Sequence, residues 1–228
     1  MRQLFDAATS TYTYLLVDER TREAILIDPV YEQLERDIAL IGELGVTLRY
    51  VLDTHVHADH VTASGALRAR LGANTVVGRE AEVACADRHV GDGDTIEIGD
   101  TILDVVETPG HTPGCVTYVT RDRAMAFTGD ALLVRGCGRT DFQGGSAHAL
   151  YRSIRDKLFA LPDATIVYPG HDYRGFTAST IGEERHCNPR LATTTESQFV
   201  ELMSKLALPQ PARIAIAVPR NQQCGAST

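Results

Sequence analysis

Basic residues are in short supply in this chain of 228 residues. Lys and Arg together number 22, whereas Asp and Glu number 30, and the formal net charge is -8 at pH 7. Proteins that bind nucleic acids neutralise phosphates with clustered Lys and Arg, and the sequence has no obvious basic cluster of this kind. We therefore expect no nucleic-acid partner and favour chemistry on a small molecule.

Long apolar runs are also absent. No stretch approaches the roughly 20 apolar residues of a membrane-spanning helix, and the first residues include Asp6 without an apolar run of signal-peptide length. We expect no membrane partner and a cytoplasmic location. A protein of the mitochondrial matrix whose transit peptide had been removed would show the same features.

Cysteine pairs with motif spacing are missing as well. The five cysteines are odd in number, widely spread and without a C-x-x-C pair: Cys85, Cys115, Cys137, Cys187 and Cys224. This pattern disfavours a zinc knuckle and a redox-active dithiol, and it favours a reducing compartment. We expect Cys137 to be a buried structural thiol rather than a redox switch.

The length and the 43% hydrophobic content are sufficient for one large core. We expect a single domain over residues 1–228, with a helical and tail extension from about residue 180. Periodicity predicts strands at 12–17, 24–28, 48–52, 95–98, 101–107, 115–120, 124–127 and 166–168, and helices at 32–44, 61–71, 147–161 and 197–206. This order predicts an α+β fold in which two packed sheets are covered by helices.

Histidine and aspartate gather in four segments at the predicted strand ends. Five of the eight histidines lie in them, and the clustered residues are His55, His57, Asp59, His60, His111, Asp130 and His171. Imidazole and carboxylate suit zinc and iron, and ligands from separate loops need a rigid scaffold to converge. Glycine precedes three of these residues, which allows sharp turns, and alternation over residues 55–59 would point an extended stretch one way. We predict a metal site at one edge of the sheets.

The order T-H-x-H-x-D-H, a downstream His, Gly-Asp and Gly-His resembles the metallo-β-lactamase superfamily. The resemblance implies an αββα sandwich of two mixed sheets covered by helices. In the two-metal hydrolases of that superfamily, the counterparts of all seven clustered residues hold metal, with Asp130 as the bridge.

Longer segments are similar to the persulfide dioxygenases of the ethylmalonic-encephalopathy type, and the similarity covers nearly the whole chain. It rests on Thr54-His-Val-His-Ala-Asp-His60, Pro109-Gly-His-Thr-Pro-Gly-Cys115, Phe127-Thr-Gly-Asp-Ala-Leu-Leu133, Arg135-Gly-Cys-Gly-Arg-Thr-Asp-Phe142, Tyr168-Pro-Gly-His-Asp-Tyr173, Asn188-Pro-Arg190 and Val218-Pro-Arg-Asn-Gln-Gln-Cys-Gly225. It implies one non-heme Fe(II) ion per chain, bound by His55, His111 and Asp130 with three open positions. The remaining four clustered residues, His57, Asp59, His60 and His171, would orient these ligands by hydrogen bonds without touching the metal.

The same resemblance implies a reaction in which glutathione persulfide, O2 and water give glutathione and sulfite. Arg139 and Tyr173 fall where the related glyoxalase II enzymes place glutathione-contacting Lys and Tyr, so we expect both to be catalytic and substrate-binding residues. Arg190 is a further substrate-binding candidate. Dimers are frequent among such enzymes, so a homodimer is compatible with the resemblance.

Two alternatives remain open. A glyoxalase II-like hydrolase would use two metals to cleave glutathione thioesters, and it shares the fold, the glutathione and all seven metal-site side chains. The segment from Arg135 to Phe142 and a C-terminal part too short for the helical domain of those hydrolases favour the dioxygenase. A non-catalytic metal or sulfur sensor comes third, because nothing resembles an attached DNA-binding module.

Overall fold

Two β-sheets form the centre of the structure, a computed structural model that describes residues 1–225. The first sheet consists of β1 Arg2–Asp6, β2 Thr11–Val17, β3 Glu23–Ile27, β4 Thr47–Leu52, β5 Asn74–Gly78 and β6 Arg88–Val90. The second consists of β7 Thr95–Ile98, β8 Thr101–Glu107, β9 Val116–Thr120, β10 Met125–Gly129, β11 Ile166–Pro169 and β12 Ser179–Thr180. In each sheet the strands follow one another in chain order, and each sheet contains both parallel and antiparallel pairs.

Helices cover the outer face of each sheet. Those within residues 1–225 are α1 Leu34–Leu44, α2 Ser64–Leu71, α3 Ala147–Arg152, α4 Ile181–Cys187, α5 Glu196–Ser204 and α6 Ile214–Asn221. Apolar residues of α1 and α2 share a buried cluster with the first sheet, and those of α3, α4 and α5 share another with the second. The layers are therefore helix, sheet, sheet and helix, which confirms the predicted αββα fold.

Alternating side chains of the strands separate these apolar layers. In β2, Tyr12, Tyr14 and Leu16 belong to the cluster between the two sheets, whereas Leu15 belongs to the cluster beneath α1 and α2. Successive side chains of a strand point to opposite faces. Because both faces of β2 are covered, its sequence is almost continuously apolar, as in strands buried on both sides.

Parallel pairing brings the ends of neighbouring strands to one edge. In β3 and β4, Ile27 pairs with Leu52. In β10 and β11, Gly129 pairs with Pro169, and Asp130 comes directly after this pair. Since parallel strands end on the same side, the polar segments that follow them converge at one edge of the sandwich.

The secondary structure departs from the prediction in three ways. Helix 147–161 is uneven, because α3 continues as a π-helical turn at Ser153–Lys157 and a 3-10 turn at Leu158–Ala160. The short elements β1, β5, β6, β12, α4 and α6 were not predicted, since runs of two to eight residues show too little periodicity. Residues 53–60 form bends rather than the extended stretch expected.

Cys85 and Cys224 form a disulfide, which the expectation of a reducing compartment did not anticipate. The two residues are 139 positions apart, so no spacing motif reveals the pair. Cys115 and Cys137 are buried thiols, which confirms the prediction for Cys137, and Cys187 is an exposed thiol. Within the described part of the chain, no helix is both long and apolar enough to cross a membrane.

Candidate metal centre

Three side chains from separate loops meet beside the end of the sandwich. His55, His111 and Asp130 each offer one ligand atom, and these atoms lie within 4.8 Å of one another. The imidazole rings of His55 and His111 have centroids 4.8 Å apart, and Nε2 of His111 lies 3.8 Å from Oδ2 of Asp130. We call these three residues the triad. The structure brings together the set that the resemblance implied.

Hydrogen bonds engage one atom of each triad residue and leave another for a metal. Nδ1 of His55 contacts the neighbouring threonine hydroxyl at 3.0 Å, and Nδ1 of His111 donates to the carbonyl oxygen of Arg139 at 2.7 Å. Nε2 is therefore the available nitrogen of each ring. Oδ1 of Asp130 accepts from Nδ1 of His171 at 2.7 Å, which leaves Oδ2. Two imidazole nitrogens and one carboxylate oxygen suit zinc or ferrous iron.

Electrostatics favour the ligand form of the triad. Burial, followed by neighbouring histidines, lowers the pKa of His55 well below its usual range, so the ring is neutral. Burial by itself raises the pKa of Asp130, but His171 and His111 outweigh it and hold that pKa below its usual range. At His171 burial is likewise outweighed, because the Asp130 and Asp59 carboxylates raise its pKa well above the usual range.

Glycine allows two of the metal loops to approach their neighbours. Gly129, just before Asp130, has φ +51°, and a Cβ there would lie 2.4 Å from Oγ1 of Thr54. Gly110, just before His111, has φ +140°, and a Cβ there would lie 2.2 Å from the backbone nitrogen of Leu150. Only glycine tolerates both the conformation and the contact, so the predicted role of these two glycines is confirmed.

Four further polar residues lie behind the triad: His57, Asp59, His60 and His171. We call them the inner cluster. Oδ2 of Asp59 lies 2.9 Å from Nδ1 of His60 and 3.1 Å from Nε2 of His171, so one oxygen serves two rings. Nε2 of His57 lies 3.2 Å from Oδ1 of Asp28. Nδ1 of His57 and Nε2 of His60 are buried without a hydrogen-bond partner among residues 1–225.

A cavity of about 790 Å³ opens onto the triad. Its wall includes all three triad residues and, from the inner cluster, Asp59 and His171. Five arginines also line it: Arg135, Arg139, Arg174, Arg190 and Arg213. This volume is within the range of small-molecule sites, and the arginines make the wall suitable for an anionic ligand.

Comparison with known proteins identifies the family. The model of the Metallo-beta-lactamase superfamily matches residues 7–171. The human protein named "Persulfide dioxygenase ETHE1, mitochondrial" is 54% identical over 229 residues, which cover 100% of this chain and 89% of the human protein. The chain belongs to the persulfide dioxygenase family of this superfamily.

Two further proteins place the chain within that superfamily. The crystal structure of ETHE1 from Myxococcus xanthus is 52% identical, has a TM-score of 0.96 and covers 99% of each chain. A Burkholderia pseudomallei protein named "Probable metallo-hydrolase" is 35% identical and covers 97% of this chain and 91% of its own length. The chain is thus more similar to the dioxygenases than to this hydrolase-named relative.

The residues predicted to contact substrate all line the cavity, in different states. The guanidinium of Arg139 pairs with Asp141 at 2.7 Å and donates to the carbonyl oxygens of Leu208 and Pro209. Tyr173 is 71% exposed, and its ring lies parallel to that of His171 with centroids 6.0 Å apart. Arg190 is half-buried and donates to the carbonyl oxygen of Cys137 at 2.8 Å.

Several residues beside the site were missed in the sequence. Arg174 and the wall segment 208–213 belong to no motif that indicates chemistry. The hydroxyl of Thr11 lies 3.1 Å from Nε2 of His171, but a lone threonine in a strand gives no signal. Asn221 lies in the recognised segment 218–225, so its segment was noted while its role was not.

Proposed function

We propose that this protein is a persulfide dioxygenase that converts glutathione persulfide, O2 and water to glutathione and sulfite. The observation that carries the proposal is the 54% identity to human persulfide dioxygenase across the whole chain, and the convergence of the triad supports it. In this reaction the terminal sulfur loses four electrons, O2 gains four, and water supplies the third oxygen of sulfite.

The proposed metal is one Fe(II) ion per chain, held by Nε2 of His55, Nε2 of His111 and Oδ2 of Asp130. Two imidazoles and one carboxylate on one side of the ion form the ligand set of non-heme Fe(II) oxygenases. When bound there, ferrous iron supplies the redox chemistry that brings a sulfur anion and O2 together at open positions. The chain contributes the ligand geometry and a cavity on the open side.

The proposed role of the inner cluster is to orient the triad. His171 donates one ring N–H to Asp130, and its other ring nitrogen contacts Asp59. The carbonyl oxygen of Arg139 similarly selects the tautomer of His111 in which Nε2 is free. Partners of this kind fix the direction of a ligand and tune its basicity.

Glutathione persulfide is the proposed substrate because the cavity carries cations that can bind its two carboxylates. Arg135, Arg139 and Arg213 already pair with acidic side chains. Arg190 and Arg174 donate to backbone carbonyl oxygens, and neither makes an ion pair within residues 1–225. We propose that Arg190 and Arg174 bind the carboxylates, while Arg139 and Tyr173 complete the wall beside the reacting sulfur.

Oxygen uptake on addition of glutathione persulfide, combined with elemental analysis and sulfite assay, tests this proposal. We expect close to one iron per chain, with equal amounts of O2 consumed and sulfite formed. His111→Ala, purified in the same way, is the control for uncatalysed oxidation. Protein that contains stoichiometric iron yet consumes no O2 with glutathione persulfide would overturn the proposal.

One observation favours a two-metal thioesterase as the second candidate. The two unpaired nitrogens, Nδ1 of His57 and Nε2 of His60, are buried, and a second metal would give them a partner. Two zinc ions per chain together with turnover of S-lactoylglutathione would support this hydrolase. The proposed location, the cytoplasm or the mitochondrial matrix, and a homodimer remain predictions.

A further inference from the structure

The last residue of α6 contacts the metal loop from the side opposite the cavity. Asn221 is only 5% exposed. Its Nδ2 donates to the carbonyl oxygen of His57 at 2.9 Å and to that of His60 at 2.8 Å, and its Oδ1 accepts from the backbone N–H of Thr62 at 2.9 Å. Both amide hydrogens and the amide oxygen are thus used, all on the backbone of residues 57–62.

The loop 57–62 depends on such a partner because it is irregular. Residues 53–60 form bends, so their backbone groups are not paired in a sheet ladder. Buried backbone groups need a hydrogen-bond partner, and a side-chain amide of this reach supplies two donors and an acceptor in one plane. A carboxylate supplies no donor for the two carbonyls, and an apolar side chain supplies neither.

The loop in turn connects to the triad through side chains. Oδ2 of Asp59, within the loop, lies 3.1 Å from Nε2 of His171. Nδ1 of His171 donates to Oδ1 of Asp130 at 2.7 Å, which leaves Oδ2 on the side of His111. A continuous series of hydrogen bonds therefore joins Asn221 to the carboxylate of the triad.

The end of α6 is itself attached to the rest of the fold. The backbone N–H of Gly65 donates to the carbonyl oxygen of Cys224 at 2.9 Å. Cys224 is also joined to Cys85 by the disulfide. At Gly225 a Cβ would lie 2.1 Å from the carbonyl oxygen of Thr62, so the two segments are in close contact. These attachments hold Asn221 against the loop.

We propose that Asn221 is a positioning residue of the metal centre. It holds the loop 57–62 so that Asp59 aligns His171, and His171 directs the Asp130 carboxylate toward the metal position. The inference rests on the proposed function only in that the triad binds a metal. It applies equally to iron, zinc or cobalt, so it can fail or hold independently of the dioxygenase activity.

The test compares Asn221→Leu and Asn221→Asp with the wild type in the full-length protein. The metal is removed, and Co(II) is titrated back while its visible absorption spectrum is recorded. We expect the Co(II) dissociation constant to rise by about 10- to 100-fold, as for other residues that orient metal ligands, and the Co(II) absorption bands to shift. In iron-loaded protein, kcat per bound iron should fall while KM changes little.

Two control variants separate positioning from general loss of stability. Ile41→Ala removes a buried side chain from α1, far from the loop, and should lower Tm without changing the Co(II) spectrum. Gln223→Ala changes an exposed side chain two residues from Asn221 and should alter neither. If Asn221→Leu does not fold, Asn221→Ser, which keeps one donor and one acceptor, is used and should give an intermediate dissociation constant.

The result that overturns the inference is specific. Asn221 variants with a lower Tm, a wild-type Co(II) dissociation constant and an unchanged Co(II) spectrum would show a purely structural role. Absence of O2 uptake in the wild type with normal Co(II) binding would instead count against the proposed function and leave the positioning measurement intact.

Discussion

The triad and the inner cluster contain the same kinds of side chain but differ in what their atoms contact. In the triad, each residue keeps one ligand atom beside the cavity after its hydrogen bonds are counted. In the inner cluster, one oxygen of Asp59 is shared by two rings, and His57 and His60 lie behind the cavity wall. Residue type therefore identifies the metal region, and the available atoms indicate which residues bind the catalytic metal.

Substitution in the triad should have the largest effect. His111→Ala or Asp130→Asn should lose nearly all iron and more than the roughly 100-fold of activity expected from residues that only orient a ligand. Both variants should remain folded, because these side chains lie on loops outside the apolar layers. Elemental analysis, O2 uptake and circular dichroism measure these outcomes. His148→Ala, at an exposed histidine paired with Glu196, is the control, and normal iron in either triad variant would refute the ligand assignment.

Substitution in the inner cluster should have a smaller effect and sharpen the comparison. His60→Ala removes a ring that contacts Asp59 but not the triad. We expect close to one iron per chain to remain and activity to fall by about 10- to 100-fold, since the alignment of Asp130 through His171 is weakened. Metal analysis of matched preparations decides the point. A drop from two metals per chain to one would instead show that the inner cluster binds a second metal.

Substitution at the cavity wall should change substrate use and leave the metal in place. Arg190→Ala removes a cation without an acidic partner in the described structure, and KM for glutathione persulfide should rise by about 10-fold or more, the cost of a charge-assisted hydrogen bond. Arg139→Ala should raise KM less, because its guanidinium already pairs with Asp141. Steady-state kinetics with iron analysis test both. Unchanged kinetics in both variants would exclude them from the substrate site.

The thiols near the triad should give the smallest effect. Burial raises the pKa of Cys115 to about 12, so the thiolate fraction at pH 8 is about one in 10,000. Because the shift is upward, raising the pH toward 8 does not ionise this thiol. Native alkylation at pH 8 followed by peptide mapping should label exposed Cys187 and spare Cys115 and Cys137. Rapid labelling of Cys115 would show that a thiolate is available near the triad.

The sequence predicted the fold where the pattern was long. The strand 12–17 and the helix 32–44 were correct to within one or two residues, because an apolar period is clear over that length. The helix at 147–161 was right in position but wrong in uniformity, since periodicity does not distinguish α, π and 3-10 turns. The disulfide between Cys85 and Cys224 was missed, because nothing local relates residues so far apart.

Composition and motif order were sufficient to identify the sandwich, the metal region and all seven of its polar residues. Those properties depend on local chemistry: apolar periodicity, glycine before a ligand, and imidazole or carboxylate at the end of a strand. Which ring nitrogen of His55 and His111 is available, which oxygen of Asp130 is engaged and how Asn221 reaches the loop 57–62 depended on the tertiary structure. Hydrogen-bond partners more than 20 residues apart along the chain are chosen by how the sheets and loops pack, and short segments of sequence contain no record of that choice.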